Sequence, residues 1–151
     1  MIENENIIIK SFEGLQYLQF KKLNELGIKH AYTLKSNGFD FSHDVPEEKY
    51  SYDILAKALN LNEGNFIKPF QTHTANVKCI ENADIDLQDI DGLITNKNNL
   101  VLTSKNADCI LFLFYDPVKK VIANVHSGWR GTFQKIAEKT VIKMISNYKC
   151  S

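Results

Sequence analysis

The order of apolar and polar positions divides the first third of the chain into short strands and one helix. The stretches Ile7–Ile9, Leu15–Phe20 and His30–Lys35 are rich in β-branched, aromatic or alternating apolar residues and predict strands. Pro46 follows, with two acidic residues and then apolar positions at helical spacing. Proline in the first turn and acids at the N-terminal end are typical of a helix start, so a helix is predicted after Pro46.

The remainder of the chain is richer in strands, and its apolar stretches predict six: Phe66–Phe70, Asn76–Ile80, Gly92–Thr95, Leu100–Thr103, Ile110–Tyr115 and Val121–His126. Turn residues between the last two predict an antiparallel hairpin. Because the first of these two strands is apolar on both faces, we expect it to be central and covered on both sides. A helix is predicted from about Thr132 to Tyr148. The whole pattern predicts a mixed α+β domain flanked by helices.

Composition and charge exclude some classes of function. A length of 151 residues favours one domain, residues 1–151. The formal net charge is zero, which argues against a nucleic-acid binder held by phosphate contacts. No apolar run approaches the roughly 20 residues that cross a bilayer, so no membrane partner is expected. Three cysteines without a secretory signal predict reduced thiols in a cytoplasmic protein. The sequence leaves the oligomeric state open.

Three residues of the types that bind zinc stand at the ends of predicted strands. Cys109 precedes the first strand of the hairpin and His126 ends the second, so antiparallel pairing brings them to one edge of the sheet. His73 also lies at a strand end. Mixed nitrogen and sulfur ligands suit zinc, and three protein ligands leave one position for water, as in catalytic sites. Asp108 adjoins Cys109 and is placed to orient a ligand or move a proton.

The residues alone leave other interpretations of this cluster open. A cysteine before an apolar strand is often a small buried residue, and a histidine at a strand end is often a surface or capping residue. No short motif with paired cysteines or paired histidines supports the metal site. A Cys–His nucleophile pair is an alternative use of Cys109.

The segment HSGWRGT, residues 126–132, is the densest local pattern. Its two glycines allow close approach of the backbone, and it precedes a predicted helix whose N-terminus favours anions. Arg130 is placed to bind a phosphate or carboxylate, and Thr132 is placed to cap the helix. The alternative is a tight strand–helix turn in which Trp129 fills the core and Arg130 is solvated.

Three more residues have two interpretations each. Lys35 ends a predicted strand and is a substrate-binding candidate for an anion, or else a surface charge. Gln71 is a substrate-binding candidate, or else bonds a turn. Asp91 precedes a glycine and reads as a turn residue that is also able to pair with a residue of the site.

The motifs QTHTANV, DGLITN, NADCILFLFYDP and NVHSGWRGT resemble those of the bacterial YfiH-like family. Its members carry the names polyphenol oxidase (laccase-like), purine nucleoside phosphorylase and peptidoglycan editing factor. The resemblance extends from about His30 to the C-terminus. It implies a zinc ion bound by His73, Cys109 and His126, and a layered α/β/β/α fold with mixed sheets between helices.

The resemblance also implies an activity on small molecules. The implied reactions are phosphorolysis of adenosine, inosine and methylthioadenosine, and deamination of adenosine, with nucleoside and phosphate as partners. Copper is a possible substitute for zinc, because it outranks zinc in affinity. A multicopper oxidase needs many more histidines than the four present. An amidase that edits peptidoglycan precursors, through a zinc-bound water or Cys109, and a non-catalytic metal-binding protein are the alternatives.

Two departures from the family pattern are visible. The family's early arginine motif appears here as Thr33-Leu34-Lys35, which keeps the positive charge and loses a bidentate donor. The sequence also stops at Ser151, whereas family members continue into a further segment. We therefore expect an N-terminal portion of the family unit, with part of the fold and of the substrate pocket outside it.

Overall fold

The computed structural model describes residues 4–61, 65–83 and 86–151. They fall into two compact units, Met1–Glu63 and Gly64–Ser151. The described part of the chain contains both helices and sheets, so the predicted α+β class is confirmed. The assignment of residues 1–151 to a single domain stays a prediction. None of the helices in the described ranges combines the length and the apolar character that a membrane span requires.

The N-terminal unit is built on an antiparallel sheet in the order β1-β2-β3. Its elements are β1 (Ile7–Phe12), β2 (Leu15–Phe20), α1 (Lys21–Glu25), β3 (Tyr32–Thr33) and α2 (Glu47–Ala58). Helix α2 begins directly after Pro46, as predicted, with Glu47 and Glu48 in its first turn. The short helix α1 was not predicted.

His30 is buried in this unit and is held by backbone groups on both sides of its ring. Its Nε2 accepts a hydrogen bond from the Phe20 amide at 2.8 Å, and its Nδ1 lies 2.8 Å from the Ile28 carbonyl oxygen. Because Nε2 accepts, the proton of the neutral ring sits on Nδ1. Burial lowers the pKa of His30, Lys10 acts in the same direction, and the Ile28 hydrogen bond opposes both. The fold therefore favours the neutral imidazole.

We expect this histidine to make stability depend on pH. The pKa in the folded state lies below the ordinary value of 6.5, so the unfolded chain takes up the proton first as the pH falls. The contribution of the neutral His30 ring to the free energy of unfolding is complete above about pH 6.5. It is lost as the pH falls from there through the lowered pKa, and the free energy of unfolding then decreases by up to about 1.4 kcal/mol per pH unit. Urea unfolding of the wild type and of His30→Gln between about pH 7.5 and pH 5 measures this. Parallel curves for the two proteins would contradict it.

The C-terminal unit contains two sheets and two helices among its described residues. Its elements are β4 (Asn65–Ile67), β5 (Val77–Cys79), β6 (Gly92–Thr95), β7 (Leu100–Leu102), β8 (Ile110–Asp116), β9 (Val121–Ser127), α3 (Trp129–Phe133) and α4 (Ile136–Tyr148). The larger sheet has the order β5-β6-β9-β8, with β5 parallel to β6 and the other pairs antiparallel. Strands β4 and β7 form a separate parallel pair.

The larger sheet is covered on both faces at its centre. Leu93 and Ile94 follow each other along β6, so their side chains point to opposite faces, and both are fully buried. Ile94 packs in a cluster with residues of β5, β9 and α4. Leu93 packs on the other face in a cluster with residues of β4 and β7. The C-terminal unit is therefore layered, with helix α4, the four-stranded sheet and the β4–β7 pair in succession.

The predicted hairpin of β8 and β9 is confirmed, but the predicted position of its first strand is wrong. Ile110 pairs with Ser127 at one end and Asp116 with Val121 at the other. Within the described ranges, β9 is the inner strand and β8 forms the edge of the sheet. Ile110 is 53% exposed and Leu113 42% exposed. A continuous apolar run indicates contact on both faces, and the described residues cover β8 only in part.

The last predicted helix is two helices. The sequence predicts one helix from about Thr132, whereas α3 begins at Trp129 after the N-cap Gly128, and α4 begins at Ile136. Lys135 separates them because its backbone is left-handed, with φ of 60°. Thr132 therefore lies inside α3 and does not cap a helix, and its predicted capping role is wrong.

Candidate metal centre

Two of the three predicted metal ligands lie at one end of the β8–β9 hairpin, and the third lies in a connection between strands. Cys109 directly precedes β8, and the register of Ile110 opposite Ser127 places it beside the end of β9. His126 lies in β9, opposite Leu111. His73 lies in the connection between β4 and β5. The hairpin thus supplies two of the residues, and a connection distant in sequence supplies the third.

The donor atoms of His73, Cys109 and His126 lie close enough to share an ion. One ligand atom of each residue can be chosen so that all lie within 4.8 Å of one another. The two imidazole rings meet edge to face, with their centroids 4.9 Å apart. Neighbouring ligand atoms of a tetrahedral zinc are separated by about 3.5 Å, given bond lengths of about 2.0–2.3 Å. The cluster therefore fits one zinc ion after a small closure, and its nitrogen and sulfur donors suit that metal.

Asp91, which is 1% exposed, is the polar centre of this region. Its Oδ1 lies 2.8 Å from Nδ1 of His126 and accepts the backbone amide of His73 at 3.1 Å. Its Oδ2 accepts the backbone amide of Thr74 at 2.7 Å and the Thr74 hydroxyl at 2.6 Å. Burial by itself raises the pKa of Asp91, but the hydrogen bonds from His126 and Thr74 outweigh it and lower the pKa below the ordinary value. Asp91 is therefore a carboxylate at neutral pH.

This carboxylate fixes which nitrogen of His126 is free. An ionised carboxylate has no proton to donate, so the hydrogen bond requires the proton to lie on Nδ1 of His126. The lone pair of a neutral imidazole is then on Nε2, and that atom is available to bind a metal. A carboxylate behind a histidine is the arrangement that accompanies metal-binding histidines in general.

The backbone around His73 is held in an uncommon conformation. His73 has φ of +64°, in the left-handed region that costs a non-glycine residue about 1 kcal/mol or more. Gly128 and Gly131 pack against this connection. A Cβ on Gly128 would lie 2.4 Å from Cδ2 of His73, and a Cβ on Gly131 would lie 2.8 Å from the Thr74 carbonyl oxygen. The glycines of HSGWRGT therefore provide close approach, as expected from the sequence.

The thiol of Cys109 lies near two carboxylates, those of Asp108 and Asp91. Its Sγ lies 3.8 Å from Oδ1 of Asp108, and a side-chain hydrogen bond from Asn106 to the Cys109 carbonyl closes the turn before β8. Desolvation raises the pKa of the Cys109 thiol, and the carboxylates of Asp108 and Asp91 raise it further. An activated cysteine nucleophile requires the opposite, a lowered pKa. A bound cation is what would stabilise the thiolate here.

A pocket of about 620 Å³ opens over the cluster. Cationic, acidic, hydroxyl and apolar side chains line it: Thr72, His73, Asp108, Cys109, Ile110, Ser127, Trp129, Arg130 and Thr132. Its size is within the range of small-molecule sites. Of the residues singled out from the sequence, Asp108 and Arg130 thus share one pocket with two of the three predicted metal ligands.

Trp129 and Arg130 are exposed residues that line this pocket. Trp129 is 73% exposed, so the alternative interpretation of this residue as a core side chain is wrong. The guanidinium of Arg130 lies 5.3 Å from the centroid of the Trp129 ring, within the range of a cation–π contact. The pocket is also lined by the hydroxyls of Ser127 and Thr132, which are 2.8 Å apart. The pocket therefore combines a positive charge, an aromatic surface and hydroxyl donors.

The other two predicted substrate-binding residues are placed differently. The side-chain amide of Gln71 makes two hydrogen bonds to the backbone of Lys105, one donated at 2.8 Å and one accepted at 2.7 Å. It thus joins the connection before His73 to the segment that leads to Cys109. Lys35 belongs to the N-terminal unit, just after β3. Binding of substrate by either residue stays a prediction.

The sequence indicates Asp91 as a turn residue that is also able to pair with a residue of the site. The available pattern was an acidic residue directly before the apolar strand β6, whose residues are all buried. An acid beside a fully buried strand must itself be paired, which is the feature that identifies it. The sequence alone does not indicate that this partner is His126.

A family described as multi-copper polyphenol oxidoreductase laccase matches residues 20–151. A purine nucleoside phosphorylase of Clostridium acetobutylicum is 33% identical over 136 residues, which cover 90% of this chain and 55% of the relative. A purine nucleoside phosphorylase of Staphylococcus aureus strain COL is 29% identical over 151 aligned positions, with 86% of this chain and 57% of the relative covered. The chain thus spans little more than half the length of these relatives.

Two solved structures share the fold. The hypothetical protein YfiH of Bacillus licheniformis superposes with a TM-score of 0.76 at 23% identity, covering 91% of this chain and 58% of that one. YlmD of Geobacillus stearothermophilus gives a TM-score of 0.69 at 21% identity, covering 93% and 55%. At these identities the likeness concerns the fold alone.

Proposed function

The chain belongs to the family described as multi-copper polyphenol oxidoreductase laccase, and we propose that it takes part in zinc-dependent phosphorolysis of purine nucleosides. Relatives of similar sequence are named purine nucleoside phosphorylase. The observation that carries the proposal is the convergence of His73, Cys109 and His126 within 4.8 Å beneath a pocket. The names of the relatives supply the substrate class. The chain spans little more than half the length of these relatives, so their reaction is carried over to it as a proposal.

The donor set supports one zinc ion in place of a copper cluster. Two imidazoles and one thiolate match the mixed ligands of zinc sites with an open position. Four histidines in the sequence are too few for a multicopper oxidase, although copper remains the alternative ion for this single site. When bound, zinc supplies a positive charge that polarises an oxygen of substrate or water.

The walls of the pocket are suited to a nucleoside and a phosphate. Phosphorolysis breaks the bond from the ribose carbon to the purine nitrogen and joins that carbon to a phosphate oxygen, while the departing base gains a proton. The exposed Arg130 guanidinium offers paired N–H donors to the phosphate. Asp108 is placed to accept a hydrogen bond or a proton from a ribose hydroxyl. The Trp129 ring offers an aromatic surface to the base.

The proposal is tested by metal analysis and product assay on the purified chain. We expect about one zinc per chain, and release of hypoxanthine from inosine only when phosphate is present, with ribose 1-phosphate formed in equal amount. Chelation should abolish the release, and added zinc should restore it. Adenosine is assayed in parallel for ammonia, because deamination is the second reaction implied by the resemblance.

The remaining outcomes separate the alternatives. Base release that does not need phosphate would indicate a hydrolase, and ammonia as the sole product would indicate a deaminase. Turnover that survives complete chelation would favour Cys109 as a nucleophile. Stoichiometric zinc without turnover of any nucleoside would identify a non-catalytic metal-binding chain.

A further inference from the structure

One buried carboxylate contacts both of the segments that supply histidines to the cluster. Asp91 accepts Nδ1–H of His126 on one side and the backbone amides of His73 and Thr74 on the other. Its own carbonyl oxygen accepts the His126 amide at 2.7 Å, and its amide donates to the Asn76 carbonyl at 3.1 Å. Asp91 therefore lies between the end of β9 and the connection that precedes β5.

The His73 segment depends on this carboxylate for its conformation. The left-handed backbone of His73 is unfavourable in isolation, so neighbouring contacts must hold it. Two consecutive amides, those of His73 and Thr74, point at the carboxylate and are satisfied by it. Without an acceptor at this position, both amides would lose their partner in a partly buried environment, which disfavours this conformation.

We infer that Asp91 is the positioning residue of the metal centre, where it selects the Nε2-free tautomer of His126 and fixes the backbone that aims His73. This inference rests on the metal site proposed above. It assigns the two functions to one side chain, with Oδ1 shared between the histidines and Oδ2 reserved for Thr74. Asp91 itself is not placed as a ligand.

The substitution Asp91→Asn removes the negative charge and one accepting oxygen of the side chain but keeps its shape. An amide has one accepting oxygen, and the two donors of Thr74 together hold it on their side, as they hold Oδ2 of the carboxylate. With its oxygen towards Thr74, the amide NH₂ faces Nδ1 of His126 and donates to it, which forces the proton of the neutral ring onto Nε2. The nitrogen that should bind the metal then carries a hydrogen. The variant nearly preserves the volume, so the core packing is kept.

The experiment uses the full chain and two readouts. The first is the ¹⁵N spectrum of the metal-free protein, in which His126 is assigned with a His126→Asn variant. We expect the Nδ1–H form in the wild type and the Nε2–H form in Asp91→Asn. The second is the affinity for Co²⁺ and its visible spectrum, since that ion reports ligand geometry. We expect a loss of affinity of about 10–100-fold with an altered spectrum.

Asp116→Asn is the matched control. Asp116 is also buried and accepts three backbone amides, those of Val118, Lys119 and Ser151, at the opposite end of the β8–β9 hairpin. The Asp116→Asn substitution should lower the midpoint of thermal unfolding without changing the tautomer of His126 or the affinity for Co²⁺. An unchanged tautomer in Asp91→Asn would overturn the inference, as would a loss of affinity equal to that of the control.

The two readouts keep this inference separate from the proposed function. If the wild type binds no Co²⁺ or zinc, the proposed metal centre is wrong, and the assignment of a metal-positioning role to Asp91 is overturned with it. If the wild type binds metal but turns over no nucleoside, the proposed reaction is wrong, and the tautomer and affinity measurements still decide the role of Asp91.

Discussion

Replacement of Cys109 by serine is expected to abolish stoichiometric zinc binding. The hydroxyl is close in shape to the thiol, so the turn before β8 should be kept, but it does not ionise near neutral pH and is a poor zinc ligand. The remaining two imidazoles hold the ion weakly. We expect affinity to fall more than about 100-fold, beyond the loss usual for a residue that only orients a ligand. Zinc content per chain and competition with a coloured chelator measure the loss.

Cys79→Ser is the matched control for this substitution. Cys79 is a partly buried thiol of the same unit, at the end of β5, and its Sγ accepts a hydrogen bond from Asn147 at 3.0 Å. The control should retain about one zinc per chain with unchanged affinity. Retention of one tightly bound zinc by Cys109→Ser would show that the cysteine is not a ligand, and the three-residue site would be wrong.

Replacement of Gly128 by alanine is expected to damage the site with little effect on stability. Gly128 has φ of −66° and ψ of 172°, which alanine adopts without strain. The added methyl would lie 2.4 Å from Cδ2 of His73 and 3.5 Å from Sγ of Cys109. Because the His73 side chain is exposed, its ring can swing aside at a cost below about 1 kcal/mol. Zinc affinity should fall about 10–100-fold or more, because one ligand is displaced.

Gly27→Ala is the matched control, because it is expected to lower stability and to leave the metal site unchanged. Gly27 has φ of +74°, and a Cβ there would meet no atom within 4 Å. The cost is therefore backbone strain, about 1 kcal/mol or more, without any contact to a site residue. Urea unfolding and metal titration of both variants test the pair. The prediction fails if Gly128→Ala binds zinc like the wild type, or if its affinity falls only in proportion to its stability.

Local sequence patterns were sufficient to place Cys109 beside His126. An apolar strand, a short turn with Asp116 and a second apolar strand define an antiparallel hairpin, and its register follows from the length of the turn. Because the start of the first strand then meets the end of the second, no long-range information was needed. The mixed α+β class followed in the same way from the alternation of strand and helix patterns.

The position of His73 was beyond such reasoning. Its segment reaches the cluster through the parallel pairing of β5 with β6, and parallel partners are joined by long connections whose course the sequence does not specify. The contact also depends on the Asp91 carboxylate, which looked like a turn residue. The sequence did not predict the edge position of β8. Its apolar residues indicate a strand for which contact on both faces is favourable, but the described residues leave part of the strand uncovered.

The wide separation in sequence of His73, Cys109 and His126 has a thermodynamic consequence. An ion shared by all three would act as a reversible cross-link between the connection before β5 and both strands of the hairpin. Because such an ion binds the folded form alone, mass action would add about 2.7 kcal/mol at a free concentration one hundred times the dissociation constant. The melting temperature of the protein would then report the free zinc around it, and acid would lower that temperature by protonating the ligands as well as through His30.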